Sequence, residues 1–142
     1  MEGSLKELSY YRMQRAEEML TASEDNLRVK QYRTSLNRSY YAVFHAMRAV
    51  NVLDGFDSSK HSGVIGYFNK TFLKEGKLDR DLYKIIKDTS YLREKSDYDD
   101  FYLVSRQETE TQLEQAKKFV SAVGEYLKSE GVLTTEGMLS EG

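Results

Sequence analysis

The sequence contains no cysteine and no proline, and it has only two histidines, His45 and His61. Without cysteine there can be no disulfide framework, no thiolate zinc site and no cysteine nucleophile, and the composition suits a reducing, cytoplasmic setting. Without proline no helix is broken by a missing backbone N–H, and 31% charged residues favour long helices with solvated faces. No apolar run exceeds a few residues, and the N-terminus lacks the basic-then-apolar order of a signal peptide, so a soluble intracellular protein with no membrane association is expected. There is no glycine-rich phosphate loop, and no serine, histidine and acid that can be grouped as a triad. A net charge of -2 and a pI near 5.8 argue against indiscriminate coating of nucleic acid and leave a local RNA site open.

What is present is helical periodicity around one stretch, Asn37 to Val50. Leu36, Tyr40, Val43, Met47 and Val50 recur at steps of four, three, four and three, which places them on one apolar stripe. Arg38 and His45 are seven residues apart, so both point away from that stripe in one direction, with Tyr41 between them. Ala42, Ala46 and Ala49 form a strip of small residues that another helix, or a second copy of the chain, could approach closely. From Asn26 to Leu53 there is no Asp or Glu, while Arg28, Lys30, Arg33, Arg38 and Arg48 give five positive charges, so the rest of the chain is net -7. Such asymmetry concentrates counter-charge at the helix and points to an anionic ligand.

At 142 residues the chain is expected to be one domain, residues 1–130, with a flexible tail over 131–142. The first helix is expected to run from Ser4, with Glu7 completing a capping box, to about Ala22, and Ser23 to Asn26 read as a turn. The central helix then spans about Leu27 to Leu53. A third helix is expected over about Lys60 to Lys74, a fourth over about Asp79 to Lys95, and a turn at Ser96 to Asp100. A fifth begins at the capping box of Ser105 and Glu108 and stops before Gly131. Tyr40, Phe44, Phe68, Phe72 and Tyr126 read as core aromatics. The expected architecture is an all-α antiparallel bundle of four to five helices.

The run Asn37-Arg38-Ser39-Tyr40-Tyr41-Ala42-Val43-Phe44-His45 resembles the central helix of the HEPN superfamily, in the branch that reads NRxYYAxFH. Lys60-His61-Ser62-Gly63-Val64 followed by Phe68, Leu92-Arg93 through Asp97-Tyr98, and Ala116 through Val120 resemble that branch's KHxGV, LRxxxDY and AxxFV segments. The resemblance spans about Arg15 to Leu127. It implies a metal-independent endoribonuclease acting as a toxin or defence effector, with Arg38 and His45 as catalytic residues in a cleft shared by a homodimer. It also implies a nucleotidyltransferase as antitoxin partner. Where the ribonuclease motif commonly has Asn, Asp or His after the arginine, this chain has Ser39. A tyrosine two residues beyond the histidine, modified by the partner enzyme in another branch, is replaced by Met47.

Histidine exchanges protons near neutral pH and arginine grips a phosphate with a fork of donors, so two copies of the pair would serve cleavage through a 2′,3′-cyclic phosphate. Asn37, Ser39, Tyr41 and Arg48 are assigned to substrate contact, with Asp97 and Tyr98 supporting; no metal or cofactor is expected. Other readings of the same residues stay open. Arg38 could form a buried ion pair with Asp97. His61 reads as a helix-start or core histidine. Asp97, Asp99 and Asp100 read as a solvated turn rather than a cation site, and Tyr98, Phe101 and Tyr102 fit either stacking on a base or packing of that turn. The main alternative function is a non-catalytic nucleotide- or RNA-binding module, or one that docks a nucleotidyltransferase; a plain helical adaptor is the third.

Overall fold

The computed structural model describes residues 2–132, with side chains from Leu5 onward. Five helices follow in order: α1 Glu2–Arg28, α2 Tyr32–Asn51, α3 His61–Phe68, α4 Leu82–Tyr98 and α5 Arg106–Ser129. A single 3-10 turn, Val52–Asp54, follows α2, and a π turn, Asn69–Leu73, extends α3. Among the described residues no strand is formed. The all-α bundle expected from the periodicity is therefore present. No helix among these residues is long and apolar enough to cross a membrane.

α2 is the axis of the bundle, packed against α1, α5, α3 and α4. Leu36, Tyr40, Val43, Met47 and Val50 are all completely buried, as their spacing requires. Phe68, Phe72 and Phe119 meet them in one cluster, with ring centroids 5.7 Å (Phe68–Phe72) and 5.5 Å (Phe68–Phe119) apart. Tyr126 packs edge-on against Phe72 from α5. Ala42, Ala46 and Ala49 are also completely buried, and the Ser9 hydroxyl donates to the Ala49 carbonyl at 2.7 Å. The small-residue strip is thus used inside the protomer, where it lets α1 lie close to α2.

Two boundaries differ from the sequence reading. The expected turn at Ser23 to Asn26 is helix, because its cap-forming side chains bond elsewhere. The Ser23 hydroxyl sits 2.9 Å from that of Ser35 and 2.8 Å from that of Ser39, all three residues being fully buried between α1 and α2. Asn26 bonds back to the Ala22 carbonyl. The chain reverses instead at Lys30, whose φ of +64° places it in the left-handed region. Gln31 N–H donates to the Asn26 carbonyl at 2.7 Å and Lys30 N–H to that of Leu27 at 3.0 Å, the paired bonds that close a helix C-terminus, with lysine where glycine is usual. Likewise α4 runs through the expected turn at Ser96 to Tyr98. Arg33 donates to the Ser96 carbonyl and to the Tyr102 carbonyl, fastening the end of α4 to the start of α2.

Other boundaries agree. Ser105 and Glu108 form the expected capping box, and α5 closes through Gly131, whose φ is +81°. A Cβ at Gly63 would stand 2.8 Å from the Ser58 hydroxyl, so a side chain there would displace the oxygen that accepts the Lys60 N–H where the loop meets α3. The expected start at Ser4 is corrected: α1 already runs from Glu2, so Ser4 lies within the helix and is not its cap residue, and the tail beyond Val132 lies outside the described residues.

The serine cluster gives a first test. Ser23→Ala removes the hydroxyl that bonds both Ser35 and Ser39, leaving buried polar atoms short of a partner at a cost of about 1–3 kcal/mol. Urea unfolding should show that loss; a midpoint equal to wild type would mean that the cluster contributes nothing to packing of α1 on α2.

Candidate functional site

From Ser35 to Asn51 every residue is buried except Asn37, Arg38, Tyr41, His45 and Arg48. These five form one line along α2, at helical steps of one, three, four and three, and beyond the accessible first turn at Tyr32, Arg33 and Thr34 they are the residues of the helix that can meet a ligand. Five of the six α2 residues assigned to the site are therefore brought together. The sixth, Ser39, is not: it is fully buried against Ser23, facing α1.

Arg38 is half-buried, and its Nη1 donates to Asn37 Oδ1 at 2.6 Å. Among the described residues no carboxylate pairs with it. Asp97, the acid proposed as its partner, bonds Arg93 at 3.1 Å, one turn earlier on α4. This corrects the Arg38–Asp97 pairing: a partner at i−4 on one helix is always within reach, whereas Arg38 is on another element. Tyr98 is 79% exposed and lines a hollow on α4 with Tyr91, Glu94, Lys95 and Asp99. Asp99 accepts the Phe101 N–H at 3.0 Å, and Tyr102 donates to Glu108 at 2.7 Å, so the acidic turn is largely bonded to its own loop. Among the described residues no group of three or more His, Asp and Glu side chains is gathered as metal ligands.

His45 has ring contacts but, among the described residues, no hydrogen-bond partner for either nitrogen. Its ring centroid is 6.2 Å from that of Tyr41 and 6.0 Å from that of Phe44. Burial, then the charges of Arg15, Arg48 and Arg12, hold its pKa down at about 4. The imidazole is therefore uncharged at neutral pH, with a lone pair available to accept a proton.

Arg12 and Arg48 converge on Asp57 in the loop before α3. Arg12 pairs with both carboxylate oxygens, donating a hydrogen bond to one at 3.1 Å and lying 2.9 Å from the other, and Arg48 donates to one at 2.8 Å. These two guanidiniums hold the Asp57 carboxyl below its usual range. Three arginines against Asp57 and Glu18, which lies 3.7 Å from Arg15, leave this end of the line cationic. Sequence reasoning missed Arg12, Arg15 and Asp57 beside this line, and His61, whose ring centroid lies 5.8 Å from that of Tyr41. Arg12 carried a signal, since a charged residue on the apolar stripe of α1 needs a partner at the place where that stripe is buried. Asp57 carried none, being brought in by a loop.

The depressed pKa of His45 couples its protonation to folding. Its folded value lies below the unfolded value near 6.5, so the unfolded chain binds a proton first. Stability from this residue is intact above pH 6.5 and declines as pH falls toward about 4. NMR titration of the His45 ring should give a midpoint near 4, and Arg15→Gln should raise it; a midpoint at 6.5 in wild type would contradict the arrangement of arginines around the ring.

The geometry defines a small helical domain in which, among the described residues, an arginine without a carboxylate partner and a histidine of lowered pKa share one face of the central helix. The family model described as the HEPN domain matches residues 9–126, and the chain belongs to the HEPN family. It is 30% identical over 141 residues to a protein of Methanocaldococcus jannaschii named "Putative toxin MJ0142", covering 96% of each chain. It is 34% identical over 113 residues to "Putative toxin MJ0605" of the same organism, covering 80% of this chain and 84% of the relative. A UPF0332 protein of Thermotoga maritima is 30% identical over 118 residues, covering 83% of this chain and 89% of the relative.

Proposed function

We propose that this chain is a metal-independent endoribonuclease of toxin type, in which Arg38 and His45 from two copies form one cleft. The observation that carries the reading is the accessible line on α2. Among the described residues its arginine has no carboxylate to neutralise it, and its histidine has no hydrogen bond that would compete with a substrate. The names of the relatives support a toxin role.

The chemistry follows from those two side chains. His45 of one copy takes the proton from a 2′-hydroxyl, the 2′-oxygen attacks the adjacent phosphorus, and the bond from phosphorus to the 5′-oxygen breaks. The products are a 2′,3′-cyclic phosphate and a free 5′-hydroxyl. A phosphate bound beside the imidazole raises its proton affinity, so the second copy of His45 can carry the proton that the leaving oxygen receives. Arg38 balances the charge that builds on the phosphorane oxygens. A separately encoded nucleotidyltransferase would act as antitoxin by covering or modifying this line.

Purified protein incubated with RNA and EDTA should yield cyclic-phosphate and 5′-hydroxyl ends, with a dimer seen in sedimentation. A folded dimer that leaves RNA intact would instead make the same line a nucleotide- or partner-binding surface.

A further inference from the structure

Both histidines of the chain flank the same two rings. The His61 centroid lies 5.8 Å from Tyr41 and 4.5 Å from Phe44, the pair that His45 also touches from the other end. His61 arrives from a different element, as the first residue of α3. Its Nδ1 is 2.7 Å from the Tyr40 hydroxyl. Tyr40 is fully buried, and burial pushes its pKa up to about 12, so it remains a phenol with one proton to donate. Among the described residues His61 is the acceptor available to it. The phenol proton thus goes to Nδ1, and the imidazole's own proton sits on Nε2.

The support behind this bond extends further. The Arg93 guanidinium lies over the Tyr40 ring, 4.6 Å from its centroid, and Asp97 fixes Arg93. A buried tyrosine needs some partner for its hydroxyl, and that need accounts for the Tyr40–His61 bond. It does not account for Nε2, which has no partner among the described residues, on a ring that is not fully buried and lies beside Tyr41 of the exposed line.

We propose that His61 is a phosphate-binding residue of the same site: its Nε2–H donates to a phosphate oxygen of an RNA strand lying along Arg38, Tyr41 and His45, while Tyr40, Arg93 and Asp97 hold the ring for it. This rests on the RNA cleft proposed above. In the free protein burial and Arg93 lower the pKa of His61, Glu94 opposing them, which favours the uncharged ring; charged or uncharged, Nε2 carries a proton to donate. No proton is transferred at His61 and no bond is made or broken there.

The test uses the full chain and a 2′-O-methyl RNA hexamer, which binds without being cleaved. Long-range 15N–1H NMR should show the His61 Nε2 signal shifting on titration, and His61→Ala should weaken binding by about 10-fold or more, the loss of one hydrogen bond to a charged acceptor. Tyr40→Phe keeps the ring that packs against His61 and removes only the hydroxyl. It should move the His61 tautomer toward Nδ1–H and weaken binding, with the His45 titration unchanged. Equal affinity in wild type and both folded variants, or a His61 signal indifferent to the hexamer, would overturn the proposal. Cleavage of unmodified RNA, followed in parallel, separates the two readings. Cleavage that does not depend on His61 removes only this one, whereas His61-dependent binding without cleavage supports it and removes the nuclease.

Discussion

Replacing His45 with alanine is expected to lower RNA cleavage by ~10²–10⁴-fold, the range removed when a positioned acid–base group is lost. In a shared cleft both copies lose their imidazole together, so the effect should sit toward the upper part of that range. Arg38→Ala should cost ~10²–10³-fold, as loss of one charge-stabilising donor does. The fold should be nearly indifferent to either change. Among the described residues Arg38 makes one hydrogen bond, to its neighbour Asn37, and His45 makes none. Partly exposed positions of this kind shift stability by roughly 0.5 kcal/mol or less. Initial rates on a fluorescent RNA, with thermal melts of the same samples, provide both readings. Cleavage at the wild-type rate by a folded His45→Ala protein would remove His45 from the chemistry.

The largest expected loss of stability is at Phe68. It is completely buried and touches Phe72 and Phe119, joining α3 and the π turn to α5. Phe68→Ala should cost about 3–5 kcal/mol, from lost burial together with the cavity left among rings that cannot close over it. Against a typical total of about 5–15 kcal/mol, that is enough to leave the variant marginal. The melting temperature should fall by about 10–20 °C. A drop of only a degree or two would mean that α3 does not pack into the core as described.

The core was legible because its signal is periodic. Leu36, Tyr40, Val43, Met47 and Val50 are each buried where spacing put them, and the ends of α5 followed from Ser105, Glu108 and Gly131, residues whose side chain or conformational freedom has a local use. The turn between α1 and α2 was not legible for the converse reason. Ser23 and Asn26 look like caps in sequence and are committed across or along helices in the fold, and Lys30 takes a conformation that only a glycine would have announced. At the site, the line from Arg38 to His45 could be read from one helix. Everything that joins it from elsewhere, Arg12 and Arg15 on α1, Asp57 in its loop and His61 on α3, depends on tertiary placement that a single sequence does not encode at short range.

The burial of Ala42, Ala46 and Ala49 has a bearing on assembly. With its smooth face packed against α1, the line that α2 leaves accessible among the described residues past its first turn carries the Tyr41 and His45 rings and the positive charge of Arg38, and two like-charged edges of this kind repel when brought together. A dimer built there gains little from apolar contact and much from any polyanion lying between the halves. RNA would then act as a third subunit: by mass action the strand draws the two copies together, and its departure after scission loosens them.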